Sequence, residues 1–274
     1  MARSDTRLLI FGLGYAARAV ATQLEGWRID ATGSAGNLDF ADRAGVAAAI
    51  ERATHILSSV PPGDGDPVLA AYGDRLGGKW LGYLSSTGVY GDTGGAWVDE
   101  SAPIKGRRQE RNRADAAWLA MGGRVFRLPG IYGPDRSPLD RVAAGSAHRT
   151  AQAGQVFSRI HVDDLARGVI AGFDAPPGAY NLADDLPAPQ DEVVTFASQL
   201  LGVAPPPVVP LESLSAAARA FHAENRRVAN GKAKRVLGWR PVYANYRLGL
   251  RALNAMTSPV AASAAPATAS PDQR

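Results

Sequence analysis

A chain of 274 residues, 46% hydrophobic and 20% charged, is long enough for one large domain or a large domain with a small satellite, and its composition excludes a disordered or membrane-embedded body. Its 30 basic and 26 acidic residues leave a net charge of +4 with no long basic block, which excludes a surface that tracks nucleic acid and leaves a mild attraction for anionic ligands. The lack of cysteine excludes disulfides, thiolate catalysis and cysteine-based metal sites; the four histidines are scattered, and His55 and His161 have no second ligand at useful spacing, so no metal is expected.

At the start of the chain, Arg3 and Arg7 precede the apolar run Leu8-Leu9-Ile10-Phe11, but Gly12, Gly14 and Arg18 break it. That suits a strand and turn better than a secretory signal. No stretch approaches the ~20 apolar residues of a spanning helix, so a cytoplasmic protein without membrane contact is expected. Short apolar runs predict strands over 7–11, 27–32, 55–60, 80–85 and 124–128, alternating with helices over 16–24, 42–52, 67–76 and 108–121. This rhythm predicts an α/β fold, a doubly wound parallel sheet of Rossmann type covered on both faces. Beyond it, an aspartate at 163 or 164 is placed to cap a helix running to 173. A strand over 179–182, a helix over 190–201, a stiff linker over 204–210 and helices over 214–222, 231–237 and 247–256 follow.

The strongest local signal is LLIFGLGYAA over 8–17, a GxGxxA pattern where the first strand ends and a helix begins. Gly12 permits the tight turn, Gly14 lets the backbone approach a pyrophosphate, and Ala17 keeps helix and strand close. The N–H groups of the opening helix turn, at Tyr15, Ala16 and Ala17, face the phosphates. The second strand ends in RIDATGS over 28–34. Asp30 falls within the strand, so Thr32, Gly33 and Ser34 would meet the ribose, which favours NADP, with Arg18 as a further phosphate contact. NAD is the alternative, with Asp30 as ligand to the ribose diol. The expected organisation is an NAD(P)-binding Rossmann domain over 1–175, a smaller mixed substrate-binding region over 176–256, and a disordered Ala/Ser/Pro-rich tail over 257–274.

The segments YLSSTGVYGD over 83–92, RLPGIYGP over 127–134 and IHVDDLA over 160–166 resemble, in order, the serine-bearing strand, the loop beside the nicotinamide and a later helix-opening motif of the extended short-chain dehydrogenase/reductases. SSVPP over 58–62 followed by GDPVL over 65–69, YNLADDLP over 180–187 and RVLGWRP over 235–241 are similar to an atypical subgroup of NAD(P)-dependent epimerase/dehydratase-like proteins. The resemblance implies that Asp39 and Phe40 lie against the adenine. It implies too that Ser59, Val60 and Pro61 line the cofactor with Ser85 and Pro129 further along, and that Ser86 holds the catalytic serine position. It also implies dimerisation through the helix bearing Trp118.

In that family a tyrosine and a lysine four residues later move the proton that accompanies hydride transfer. Of the eight tyrosines, none has a lysine four positions on, and the corresponding helix reads RRQERNRADAAW over 107–118. Arg107 falls where the tyrosine belongs and Arg111 where the lysine belongs. A guanidinium stays protonated and cannot serve as a general base. Three readings stay open: a solvated helix face paired with Glu110 and Asp115, a clamp on an anionic small-molecule substrate, or a fold that keeps its cofactor without chemistry. Tyr90 and Tyr132 are candidate proton donors or packing residues, and His55 and His161 are read as capping or packing side chains. The functional expectation is an NAD(P)-dependent oxidoreductase or epimerase/dehydratase-like enzyme, with a non-catalytic dinucleotide-binding sensor as the alternative.

Overall fold

The computed structural model describes residues 6–257; apart from Thr257, the tail expected over 257–274 lies outside them. In chain order the elements are β1 (Arg7–Phe11), α1 (Tyr15–Thr22), β2 (Arg28–Ala31), α2 (Arg43–Arg52), β3 (His55–Ser58), α3 (Pro67–Tyr72), β4 (Trp80–Ser86), β5 (Trp97–Val98), α4 (Gln109–Ala120) and β6 (Arg124–Leu128). They continue with β7 (Gly130–Tyr132), α5 (Pro138–Ala143), β8 (Arg159–His161), α6 (Val162–Ala171), β9 (Gly178–Asn181), α7 (Gln190–Leu201), α8 (Ala216–His222), β10 (Arg227–Val228), α9 (Gly231–Val236) and α10 (Tyr246–Thr257).

Six strands form one parallel sheet in the order β2-β1-β3-β4-β6-β9. Because successive side chains of a strand point to opposite faces, β1 feeds two cores at once. Leu8 and Ile10 join Val20 of α1 and Leu165 and Val169 of α6. Leu9 and Phe11 join Val46 and Ile50 of α2, Val68 of α3 and Trp118 of α4. Burial on both faces is why these strands read as continuous apolar runs without alternation. The chain reverses its direction of growth between β1 and β3, and in open α/β sheets the crevice beyond such a switch point receives ligands.

Two short parallel pairs lie outside the main sheet, β7 with β8 and β5 with β10. A third core joins Leu139 and Val142 of α5, Val193 and Phe196 of α7, and Tyr246, Leu250 and Leu253 of α10. The expected division at 175 does not follow these layers. β9 lies past it yet is the edge strand of the main sheet, while α5 lies before it yet packs into the third core. The α6 cap also differs from expectation: His161, not an aspartate, is the N-cap, its Nδ1 accepting the Asp163 N–H at 3.2 Å. Asp163 and Asp164 occupy the first turn, where negative charge suits the helix dipole.

Candidate functional site

β1 ends in a turn held from three sides. Gly12 adopts φ 83°, in the left-handed region that favours glycine. Its N–H donates to Thr32 Oγ1 at 3.1 Å, and its carbonyl accepts from Ser59 Oγ at the end of β3. A Cβ on Gly12 would stand 3.0 Å from Val60 Cγ2, so the turn tolerates no side chain. Gly14, two residues on, is exposed and would meet nothing within 4 Å. It is also the N-cap of α1, and with no side chain capping that helix, the first-turn N–H groups at Tyr15, Ala16 and Ala17 open onto the switch-point crevice. Donors, open space and fixed turn together fit a diphosphate.

The ribose end is likewise ordered. Gly33 has φ 105°, and Ser34 after it is exposed. Asp30 accepts from Asn37 Nδ2 at 3.0 Å and lies 3.5 Å from Arg52, so it is engaged away from the strand tip. Asp39 is exposed and accepts the Ala41 N–H in a tight turn. Phe40 packs edge-on against Phe11 and Tyr72, at the rim of a core. Pro61 is exposed beside Val60. Ser85, expected beside the cofactor, instead turns into the interior: it is 4% exposed and donates to Asp115 Oδ2 at 2.6 Å.

Next to this crevice lies a cavity of about 1080 Å³, at the upper end of what small-molecule sites enclose. Tyr15, at the start of α1, stands between them: its hydroxyl donates to the Pro134 carbonyl at 2.9 Å, and Arg136 of the cavity wall lies 5.5 Å over its ring. Ser86, Arg107, Arg111 and Pro129 all reach the cavity wall. So do Arg136, Arg141, Arg159 and Arg226, with His148 and His222, against Asp135, Asp140 and Glu224. The wall is therefore strongly cationic. Ser86 Oγ accepts the Gly88 N–H at 3.1 Å, which engages one lone pair and leaves its proton to donate.

The arginines separate by their partners. Arg107 donates to Glu224 Oε1 at 2.7 Å and to the Ala220 carbonyl at 2.8 Å, clasping α8 and the segment after it. Arg226 donates through Nη1 to Glu224 Oε2 and to the Gly91 carbonyl, both at 2.7 Å. Burial would raise the Glu224 carboxyl, but the two guanidinium groups outweigh it and hold it below the usual range. The Arg111 guanidinium has no hydrogen bond or ion pair among the described residues. The expected pairing of these arginines with Asp115 does not occur, because Asp115 is 1% exposed and receives two hydrogen bonds from buried Arg127, at 2.8 and 3.1 Å.

Neither candidate tyrosine is placed for proton transfer. Tyr90 donates to Asn181 Oδ1 at 2.7 Å and accepts from Arg127, and burial raises its pKa. Tyr132 is 4% exposed, with its hydroxyl in the interior and its pKa raised by burial. His55 packs among Trp27, Trp80 and Phe173, far along the sheet at the start of β3. Trp118 is wholly buried, stacked on Tyr83 at 5.5 Å, and is a core residue. Arg226, Glu224, Arg159 and the two cavity histidines carried no motif; only the folding of the last third against the sheet brings them to the site.

No protein-family model matches the chain. A solved structure of a conserved protein of unknown function from Silicibacter pomeroyi is 41% identical, covers 92% of this chain and 99% of its own, and superposes with a TM-score of 0.81. The chain belongs to one family with that protein. The fold is shared with the human epimerase family protein solved with NADPH, which is 16% identical over 91% of this chain and 99% of its own, at a TM-score of 0.72. A curated relative, a 3-diazoavenalumate denitrifying reductase from a Streptomyces species, is 29% identical over 141 residues. That match spans 47% of this chain and 46% of the relative, less than half of either. Among the described residues no helix is long and apolar enough to cross a membrane.

Proposed function

We propose that the protein is an NAD(P)-dependent oxidoreductase of the epimerase/dehydratase type that acts on a small anionic molecule, with NADP as the favoured cofactor. The observation that carries this reading is the placing of the glycine turn at the switch point, through Tyr15, beside a cationic cavity bearing Ser86. The preference for NADP rests on the second strand's tip, where exposed Ser34 stands and the Asp30 carboxylate is occupied by Asn37 and Arg52. The NADPH bound by the human epimerase family protein on the same fold is in keeping with it.

Amide groups of Tyr15, Ala16 and Ala17 would hold the diphosphate, and Val60, Pro61 and Pro129 would flank the bases and sugars. When bound, a nicotinamide supplies hydride acceptance or donation. Ser86 presents its hydroxyl proton to a substrate oxygen, and Arg111 stabilises negative charge developing there. Arg111 cannot take a proton. Among the cavity-lining side chains, the His222 imidazole is held below its usual pKa by burial and by neighbouring His148.

Separate titrations of NADPH and NADH, followed by the fluorescence of the five tryptophans, test the cofactor. Tighter binding of NADPH is expected, together with a loss of on the order of tenfold or more in Gly14→Val, whose side chain would fill the space before the helix amides. Affinity for neither coenzyme, or an unchanged affinity in Gly14→Val, would end this reading. The lack of a tyrosine–lysine pair favours a second one, a non-catalytic dinucleotide sensor. A single-turnover change in nicotinamide absorbance with a turned-over substrate separates the two.

A further inference from the structure

At the Ser86 end of the cavity, one guanidinium is more completely positioned than those on α4. Arg226 is anchored through Nη1 by Gly91 and Glu224, and Arg107 holds Glu224 from the other side. Its side chain is 16% exposed, and no hydrogen bond occupies Nη2 among the described residues. A Cβ built on Gly88 would lie 3.3 Å from Ser86 Oγ and 3.9 Å from Arg226 Nη2. Gly88 is not among the glycines at positive φ, so the backbone does not require glycine there. What the missing side chain leaves is a notch, one methyl wide, between a hydroxyl donor and a fixed guanidinium edge.

We propose that this notch binds a carboxylate next to the reacting carbon, so that the substrate is a 2-hydroxy or 2-oxo acid or carries such a unit, with Arg226 as the residue that selects it. Ser86 takes the hydroxyl or carbonyl oxygen and Arg226 Nη2 the neighbouring carboxylate, with unpaired Arg111 adding charge. A planar carboxylate edge fits a space of this width, and a guanidinium matches it in geometry as well as charge. Arg107, tied to Glu224 and Ala220, serves as the brace that fixes Arg226. The inference rests on the cavity being the substrate site, and specifies what that site selects.

The test uses NADPH-loaded full-length protein and calorimetric titration with oxamate, which sets a carboxylate beside a carbonyl, alongside neutral oxamide and inorganic phosphate. Oxamate is expected to bind in preference to both. Arg226→Gln and Gly88→Ala should each weaken it on the order of tenfold or more, as expected for loss of a charge-assisted hydrogen bond, and Arg226→Lys should restore part of that loss. NADPH affinity should be unchanged in all three. Gly88→Ala, which removes no anchoring contact, keeps the test intact should Arg226→Gln fail to fold. The proposal is overturned if wild-type protein binds NADPH but not oxamate, if oxamide or phosphate binds as well, or if both substitutions leave oxamate affinity intact. Failure to bind NADPH at all would strike the cofactor reading instead.

Discussion

Asp184 is 2% exposed and sits within electrostatic reach of Arg159, itself 6% exposed and held by the carbonyls of Phe157 and Ala188 and by Gln190. Burial pushes the Asp184 carboxyl up to about 8 despite the nearby cation, and lowers Arg159 to about 10, so loss of water outweighs attraction in both. A carboxyl raised this far above its unfolded value of ~3.9 binds its proton more tightly in the native state. Its stabilisation is whole below about pH 4 and is lost as pH climbs toward about 8, at up to about 1.4 kcal/mol per pH unit. Asp184→Asn should flatten the fall of urea-unfolding free energy across that window; parallel profiles for the two proteins would refute it. The Asp115–Arg127 pair behaves differently, because direct hydrogen bonds join it. Asp115→Asn would strand a buried guanidinium and should cost about 3–5 kcal/mol, measured by the same unfolding; a loss under about 1 kcal/mol would contradict it. None of this was legible in the sequence. Asp115 read as a surface partner because its helix is crowded with charge, and nothing in a linear chain tells which carboxylate a distant strand will bury.

Among the elements, α3 and α4 depend on one carboxylate. Asp66 caps α3 by accepting the Val68 and Leu69 N–H groups at 2.9 Å, and its other oxygen accepts Trp118 Nε1 at 2.7 Å. Asp66→Ala should remove a cap and orphan a buried indole N–H, together about 2–4 kcal/mol; a thermal midpoint close to wild type would show the bond idle. The major elements were readable because period and punctuation agree: β1, β6 and α7 fall where apolar runs and Gly or Pro breaks place them. The two-residue strands β5 and β10 were not. They are too short for a period to register, and their pairing joins segments over a hundred residues apart. The α6 cap was misread for a related reason, since an imidazole seldom caps, and only the local backbone decides which of His161, Asp163 and Asp164 faces the free N–H groups.

For the whole molecule, the crevice at the switch point predicts linkage between cofactor and fold. A ligand at about a hundred times its dissociation constant stabilises by about 2.7 kcal/mol, and for a chain of this size that should raise the thermal midpoint by roughly 5–10 °C. Scanning calorimetry should find a larger rise with NADPH than with NADH; equal rises would remove the case built on Ser34. The glycine turn was visible from the sequence because its residues are consecutive. The cavity was not, because its walls come from β4, the loop before α4, β7, β8 and the segment after α8.

The pairing of β10 with β5 sets Arg227 opposite Trp97 and Val228 opposite Val98. Neighbouring side chains on a strand face opposite ways, so a slip of a single residue inverts the whole set. Arg226 enters that strand immediately ahead of Arg227, and its aim is thereby governed by chain length as much as by residue type. Inserting one residue between Glu224 and Arg226 should turn the guanidinium outward while every original amino acid is retained, whereas lengthening the stretch over 204–210 should leave its heading alone. Length is therefore constrained across that one short span and free in the linker.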